Sequence, residues 1–250
     1  MKLISFIPIM NDARKAGRKT VTRRLMYPQP DAGVHEIILS NQFLCKVLNS
    51  KDTFAIFSHV AEVNGVKTYL DEQTIFCKYK PGETLYVKEP YFLYGNWQAN
   101  GLTKKGNPKW KFVTFLVEGK NTLGVLYLDN PHPPYRISMD KKEPEKYQWY
   151  KRNSRFMPER YARDFITIKS IRAERLRDIT KEEAIKEGVS QTQINGGPNI
   201  YYQDYINDLW MGFLNDPIAS FNSLISLIHG PEILELNPWM WVIHFENEKD

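Results

Sequence analysis

Strand-forming runs outnumber helix-forming runs along this 250-residue chain, and the two do not alternate regularly. Strands are expected at 3–7, 21–25, 54–57, 74–77, 84–89, 165–168 and 239–246, and helices at 8–16, 180–187, 201–214 and 217–229. A regular parallel βαβ sheet needs strict alternation, so the pattern predicts an α+β fold. A small closed or partly closed β-barrel flanked by helices is the architecture we expect.

Local signals mark where several of these elements end. Gly17 and Gly188 each follow a helical stretch and suit its C-terminal cap. Thr180 and Glu183 have the spacing of a capping box, which predicts a helix start at that point. In the last strand the odd positions from 239 to 245 are all large and apolar, so this face is expected in the core.

Composition limits the classes of function. The net charge is +5 and the pI about 9.0, which favours polyanionic partners. Cys45 and Cys77 form no CxxC pair, and the five histidines lack metal-ligand spacing, so we expect neither a metal nor a cofactor. The chain has no long apolar segment, and we therefore expect a cytoplasmic protein without membrane contact.

The stretch from Arg14 to Arg24 carries six basic residues and no acidic one, where a helix gives way to a strand. Clustered cations on a short connection are typical of an anion site, with Arg18, Arg23 and Arg24 as candidate phosphate or base contacts. Lys19 and Thr22 add an amine and a hydroxyl, which can take part in chemistry. A solvated basic turn is the alternative interpretation.

Residues 92–135 have the pattern of an inserted β-hairpin system. Its expected tip, 101–111, contains Lys104 and Lys109 and is flanked by tryptophans, which suits a nucleic-acid contact; a flexible solvated loop is the alternative. Residues 138–150 are charged and contain proline, so they are expected to form a linker.

The stretch Gly17-Arg18-Lys19-Thr20-Val21-Thr22-Arg23-Arg24 resembles the signature of the ASCH domain, a branch of the PUA-like superfamily of small β-barrels. The chain is similar above all to the larger ASCH proteins of phages and prophages. The matching pieces are 16–24, 81–90, 152–189, 208–210 and 237–242. The resemblance implies a single domain over 1–250, enlarged by β-rich insertions at 31–80 and 92–150.

The resemblance also implies function. PUA-like barrels generally bind RNA or modified bases, and a small bacterial ASCH protein is an amidohydrolase that deacetylates N4-acetylcytidine. Its proposed working residues correspond to Lys19, Thr22 and Glu187 here. The chain differs from that enzyme by its large insertions and by Arg23, which replaces an apolar residue. The partners implied are RNA, DNA or a modified nucleoside.

Amide hydrolysis needs a nucleophile, a proton acceptor and a positive group near the developing oxyanion. Thr22 can supply the hydroxyl, Lys19 the charge or a base, and Glu187 a proton relay. The helix C-terminus opposes ionisation of Glu187 and a nearby Lys19 favours it. Lys19 follows a helix cap and precedes a strand, so its side chain is expected to carry no core packing.

Arg155 and Glu89 complete the candidate contacts. Arg155 suits a phosphate, a base or a structural carboxylate, whereas Glu89 can receive a base amino group or balance Arg24.

Two other functions stay open at this point: a non-catalytic reader of RNA or modified DNA in phage–host regulation, and a ribonuclease. A closed pocket joining Lys19, Thr22 and Glu187 would favour the hydrolase. An open groove lined by Lys104, Lys109 and Arg155 would favour the reader.

Overall fold

A computed structural model describes residues 1–30, 36–38, 53–63, 66–115, 124–129, 137–139, 142–207 and 212–248. The strands of these ranges are β1 (Lys2–Ser5), β2 (Val21–Leu25), β3 (Glu36–Ile38), β4 (Phe54–Val63), β5 (Val66–Phe76), β6 (Thr84–Lys88), β7 (Tyr91–Leu102), β8 (Pro108–Thr114), β9 (Val125–Tyr127), β10 (Ile137–Ser138), β11 (Gln148–Arg152), β12 (Phe165–Arg175), β13 (Gln191–Gln193), β14 (Ile200–Gln203), β15 (Phe213–Leu214) and β16 (Trp239–Asn247). The α-helices are α1 (Pro8–Lys15), α2 (Lys181–Lys186), α3 (Pro217–His229) and α4 (Ile233–Leu236).

This element content confirms the predicted α+β class. Within the described ranges the strands form open sheets, and none of these sheets closes into a barrel. In the same ranges, no helix is both long enough and apolar enough to cross a membrane.

The chain divides into two compact units. The first unit comprises Met1–Pro8 and Leu85–Phe165, and the second comprises Ile9–Thr84 and Ile166–Asp250. The prediction of one domain over 1–250 with insertions stays a prediction.

The first unit contains the predicted hairpin. β7 and β8 pair antiparallel, and Trp97 lies opposite Phe112. β11 and β9 also pair with β7, and β10 lies beside β11. A Cβ on Gly95 would lie 2.1 Å from the carbonyl oxygen of Val113, so only glycine permits this close approach of the two strands.

The second unit is built around an antiparallel group of strands in the order β12, β16, β2. Ile243 of β16 lies opposite Ile171 on one side and Thr22 on the other. The predicted apolar face of β16 is buried at Trp241, Ile243 and Phe245. The alternate positions Met240 and Val242 are buried as well, so this strand is covered on both faces. The unit also contains the three-stranded groups β3-β4-β5 and β13-β14-β15.

Most local predictions are confirmed. β2 and α3 have the predicted bounds, and Thr180 Oγ1 accepts a hydrogen bond from the Glu183 amide at 3.3 Å as a helix cap does. Gly17 and Gly188 have φ values of +74° and +92°, which favour glycine.

Two local predictions are wrong. Residues 200–203 and 213–214 form strands β14 and β15 instead of a helix over 201–214, because they pair with each other. The side chain of Asp204 also accepts the amides of Ile206 and Asn207, which turns the chain; Leu209 and Trp210 lie outside the described residues. The linker expected at 138–150 includes the start of strand β11.

Candidate functional site

A buried ion pair joins two of the residues singled out in the sequence. Lys19 Nζ donates to Glu187 Oε2 at 2.6 Å, and the two side chains are only 3% and 4% exposed. The ammonium also donates to the carbonyl oxygens of Glu187 at 2.7 Å and of Val21 at 2.8 Å. An ammonium has three N–H donors, so these contacts satisfy all of them.

The end of helix α2 holds Glu187 against Lys19. Glu187 is the C-terminal cap of α2, and the Thr20 amide donates to the Lys186 carbonyl oxygen at 2.9 Å. A Cβ on Gly188 would lie 2.8 Å from Lys19 Cβ and 2.9 Å from Ala13 Cβ. Real Cβ contacts are longer than this, so the bare backbone of Gly188 leaves the room that the stem of Lys19 occupies.

Arg23 connects the pair to further carboxylates. Its side chain is fully buried; Nη1 lies 3.3 Å from Glu187 Oε1, and Nη2 lies 3.0 Å from Glu174 Oε2. Nη2 also binds Glu183. The guanidinium lies 5.7 Å from the centre of the Phe221 ring in α3. Arg23, predicted to contact nucleic acid, is thus bound by carboxylates of its own chain.

Arg172 of β12 completes the cluster. Its guanidinium binds both Glu174 and Glu183 and contacts Nε2 of His244. We call Lys19, Arg23, Arg172, Glu174, Glu183 and Glu187 the ion network. Its three cations balance its three carboxylates, which lowers the cost of burying each charge.

The surroundings shift the pKa of several of these groups. Burial lowers the pKa of Lys19 below its ordinary value; the carboxylate of Glu187 opposes this effect, and Arg24 and Arg23 add to it. Burial, with the charge of Arg172, also lowers the pKa of His244. The cluster therefore favours a neutral imidazole beside the ion network.

Thr22 lies in the middle of β2 and is buried, opposite Ile243. Successive strand residues point to opposite faces, so Thr22 shares a face with Arg24 and not with Arg23. Among the described residues, no hydrogen bond joins Thr22 to Lys19 or Glu187. The structure thus brings two of the three predicted catalytic residues into contact, and the approach of Thr22 to them stays a prediction.

A cleft opens close to the pair in the same unit. It has a volume of about 470 Å³ and is lined by Arg18, Ile185, Val189, Ser190 and Gln191. Arg18 is exposed, and its guanidinium approaches the carbonyl oxygen of Gly188 at 3.4 Å. The predicted phosphate contact at Arg18 therefore lies beside the residues that follow Glu187.

Among the remaining predicted contacts, Arg24 is half-buried in β2 of the second unit, and the others lie in the first unit. Glu89 is 7% exposed and accepts two hydrogen bonds from Arg163, at 2.6 Å and 3.0 Å. Lys104 and Lys109 are exposed on the β7–β8 hairpin, and Arg155 is exposed beside Phe156. The alternative in which Glu89 balances Arg24 stays a prediction.

The sequence predictions did not include Arg172, Glu174, Glu183 or His244 as site residues. One available signal was the i, i+2 spacing of Arg172 and Glu174, which puts opposite charges on one face of a strand. In the described part of the chain, no three His, Cys, Asp or Glu side chains are grouped so as to hold a metal.

Comparison of the chain with protein-family models, with curated proteins and with solved structures gives no match in any of the three. A function must therefore be inferred from the chain's own residues.

Proposed function

We propose that this chain is an ASCH-type, PUA-like protein that binds modified nucleosides in nucleic acid or free, and that it removes the acyl group from an N4-acylated cytidine. One observation carries the proposal: Lys19 and Glu187, 168 residues apart, meet as a buried ion pair at 2.6 Å.

Burial of this pair supports a functional interpretation. Removing an ammonium and a carboxylate from water costs several kcal/mol per ion, and the mutual attraction repays it only in good geometry. Apolar side chains of similar size would fill the same space without that cost. Buried ionisable pairs with shifted pKa values accordingly cluster at functional sites.

The chemistry assigns one role to each of the three residues. The Thr22 hydroxyl attacks the acyl carbon, its proton passes to Glu187, and the amide nitrogen takes that proton as the carbon–nitrogen bond breaks. Cytidine leaves in that step; water then cleaves the acyl–threonine ester, which releases the carboxylic acid and restores the Thr22 hydroxyl. The charge of Lys19 stabilises the oxyanion in both steps.

The neighbouring cleft is the proposed binding site for the substrate, although Lys19, Thr22 and Glu187 are buried and are not among its lining residues. Its volume of about 470 Å³ is within the range of small-molecule sites, and exposed Arg18 offers a cation to a phosphate at its rim. The Lys19 ammonium is saturated by protein acceptors, so it must exchange one of its two carbonyl contacts for the substrate oxygen.

That saturation favours a second candidate, a non-catalytic reader. If the Lys19 ammonium keeps all three protein contacts, it holds Glu187 in place. It then provides a fixed positive charge beside a bound nucleobase, and no proton is transferred. The exposed Lys104, Lys109 and Arg155 would then serve nucleic-acid binding.

One experiment separates the two. The purified protein is incubated with N4-acetylcytidine, free and within a short RNA, and acetate and cytidine are measured by mass spectrometry. We expect release by the wild type and a rate about 10²- to 10⁴-fold lower for Glu187→Gln. Lys104→Ala, outside the ion network, serves as the control for the free nucleoside. Binding of the acetylated RNA without release would overturn the hydrolase and support the reader.

A further inference from the structure

The first unit contains a second cleft, unrelated to the ion network. Its volume is about 600 Å³, and the residues that matter for its chemistry are Trp97, Lys142, Lys151, Arg152 and Phe156. Trp97 belongs to β7, and Lys151 and Arg152 belong to the neighbouring strand β11. The cleft is large enough for a ligand the size of a nucleotide.

The lining is strongly positive. Lys142, Lys151 and Arg152 contribute three cations, and the described residues that line the cleft include no carboxylate. Within the described ranges, none of these three cations forms an ion pair with an acidic residue. Cations gathered in a concave surface without counter-charges attract anions, and phosphate above all.

Two aromatic rings line the cleft; Trp97 is 9% exposed, whereas Phe156 offers an open face. Trp97 is held edge-on by Phe112 at 5.3 Å and by the fully buried Tyr150 at 6.4 Å, so its ring is fixed in place. Phe156 is 56% exposed. Cations lie over both rings: Lys142 Nζ is 5.6 Å from the Trp97 centre, and the Arg152 guanidinium is 5.0 Å from the Phe156 centre. An open aromatic face binds nucleobases by stacking.

Two lining residues also carry unused donors. Trp97 Nε1 and Arg152 Nε are buried atoms that find no hydrogen-bond partner within the described ranges. Buried donors are normally paired, because leaving them unpaired is costly. Both atoms are covered by protein, so a ligand acceptor could reach either donor only after the covering atoms move.

We propose that this cleft binds a nucleotide, with its base stacked on Phe156 and its phosphate held by Lys142, Lys151 and Arg152. The recognised unit is a planar base that carries a phosphate, supplied either by a free 5′-monophosphate or by one residue of a single strand. The site acts independently of Lys19 and Glu187.

Binding is measured by calorimetry on the full chain, with the four 5′-ribonucleoside monophosphates, the four nucleosides and inorganic phosphate as probes. We expect at least one monophosphate to bind about tenfold more tightly than its nucleoside and than phosphate alone. No saturable binding of any monophosphate would overturn the proposal. Equal affinity for inorganic phosphate would overturn the stacking role of Phe156.

Variants locate the site. Lys142→Ala with Lys151→Ala, and separately Phe156→Ala, should each weaken monophosphate binding about tenfold or more. The matched control is Lys111→Ala with Lys146→Ala, which removes two exposed lysines of the same unit that do not line the cleft. Equal losses in the two double variants would overturn the assignment to this cleft.

Binding of a single-stranded hexanucleotide shows whether the cleft takes a free nucleotide or one residue of a nucleic-acid strand. If it binds more tightly than the best monophosphate and loses affinity in the Lys142→Ala, Lys151→Ala variant, the nucleotide is one residue of a strand. If it binds no more tightly, the ligand is the free nucleotide.

Discussion

Lys19 Nζ lies 2.6 Å from Glu187 Oε2 in a place where neither side chain is more than 4% exposed, and the other carboxylate oxygen of Glu187 lies 3.3 Å from Arg23 Nη1. The expectation that Lys19 carries no core packing is therefore wrong. Its counter-charge, Glu187, caps a helix far along the chain, which the residues next to Lys19 do not reveal. Removing either charge leaves the other buried without its closest counter-charge.

Lys19→Met should lower the free energy of unfolding by about 3–5 kcal/mol, since Glu187 would stay buried without its nearest cation. Urea unfolding measures the loss, and Lys104→Met, an exposed lysine, should stay within about 0.5 kcal/mol of wild type. Adding Glu187→Gln to Lys19→Met should recover part of the loss. A Lys19→Met variant as stable as the control would show that the pair does not stabilise the fold.

Gly188→Ala should destabilise the protein more than Gly82→Ala. Both glycines have positive φ, +92° and +79°, so an alanine at either is strained by about 1–2 kcal/mol. Only at Gly188 would the new Cβ also meet Lys19 and Ala13; at Gly82 nothing lies within 4 Å. The melting temperatures of the two variants are compared with that of wild type. Equal decreases in melting temperature would contradict the close packing of Gly188 on Lys19.

Stability should fall as the pH drops below about 6.5, partly through His244. Burial and Arg172 lower the pKa of His244 in the folded state, so between that pKa and 6.5 the unfolded chain binds more protons. The stabilising contribution of His244 is complete above the pKa that it has in the unfolded chain. It is lost as the pH falls towards the lower pKa that it has in the folded protein. When the free energy of unfolding is measured in urea at several pH values, its slope against pH below 6.5 should be shallower for His244→Gln than for wild type. Identical slopes below pH 6.5 would exclude this contribution.

Nucleic-acid binding should depend on salt through the β7–β8 hairpin. Lys104 and Lys109 are exposed there, and each phosphate neutralised on a single strand contributes about 0.7 to the slope of log K against log salt. Lys104→Ala with Lys109→Ala should therefore reduce the slope by about 1.4 in a titration with single-stranded RNA. Lys146→Ala, paired with Glu143, is the control. An unchanged slope would remove the hairpin from the binding surface.

Thr22→Val should lower acetate release from N4-acetylcytidine by about 10²- to 10⁴-fold, because it removes the proposed nucleophile and keeps a β-branched side chain in β2. Thr22→Ser keeps a hydroxyl and should retain much of the rate. The two variants are assayed beside wild type, with circular dichroism to check folding. Equal rates for Thr22→Val and wild type would exclude Thr22 from the chemistry.

Local rules predicted much of the fold. Neighbouring residues determine the bounds of β2 and α3, the helix cap at Thr180 and the glycine caps, and all of these are confirmed. Within the described residues, the reciprocal half of the predicted capping box is not formed, because the Glu183 carboxylate binds Arg23 and Arg172. The helix expected over 201–214 failed because strand pairing between Tyr202 and Leu214 decides the conformation there, and pairing is a tertiary effect.

At the candidate site too, neighbouring residues do not predict a tertiary effect, and the basic stretch 14–24 is the example. Counting charges predicted an anion site or a solvated basic turn, yet Arg14, Lys19 and Arg23 are each no more than 5% exposed. The carboxylates that neutralise Lys19 and Arg23 come from residues 174–187, more than 150 positions along the chain. Sequence reasoning could name Lys19 and Glu187 as partners only through a resemblance, and it could not have assigned Arg23 to an internal cluster.

The backbone of Thr20 links two kinds of secondary structure. Its amide donates to the Lys186 carbonyl oxygen at the end of α2, and its carbonyl accepts the amide of Phe245 in β16 at 2.9 Å. The end of a helix thus satisfies a donor next to the first residue of a strand. Hydrogen exchange should therefore treat α2 and the start of β2 as one cooperative unit, and the Thr20 amide should exchange only when the helix end detaches.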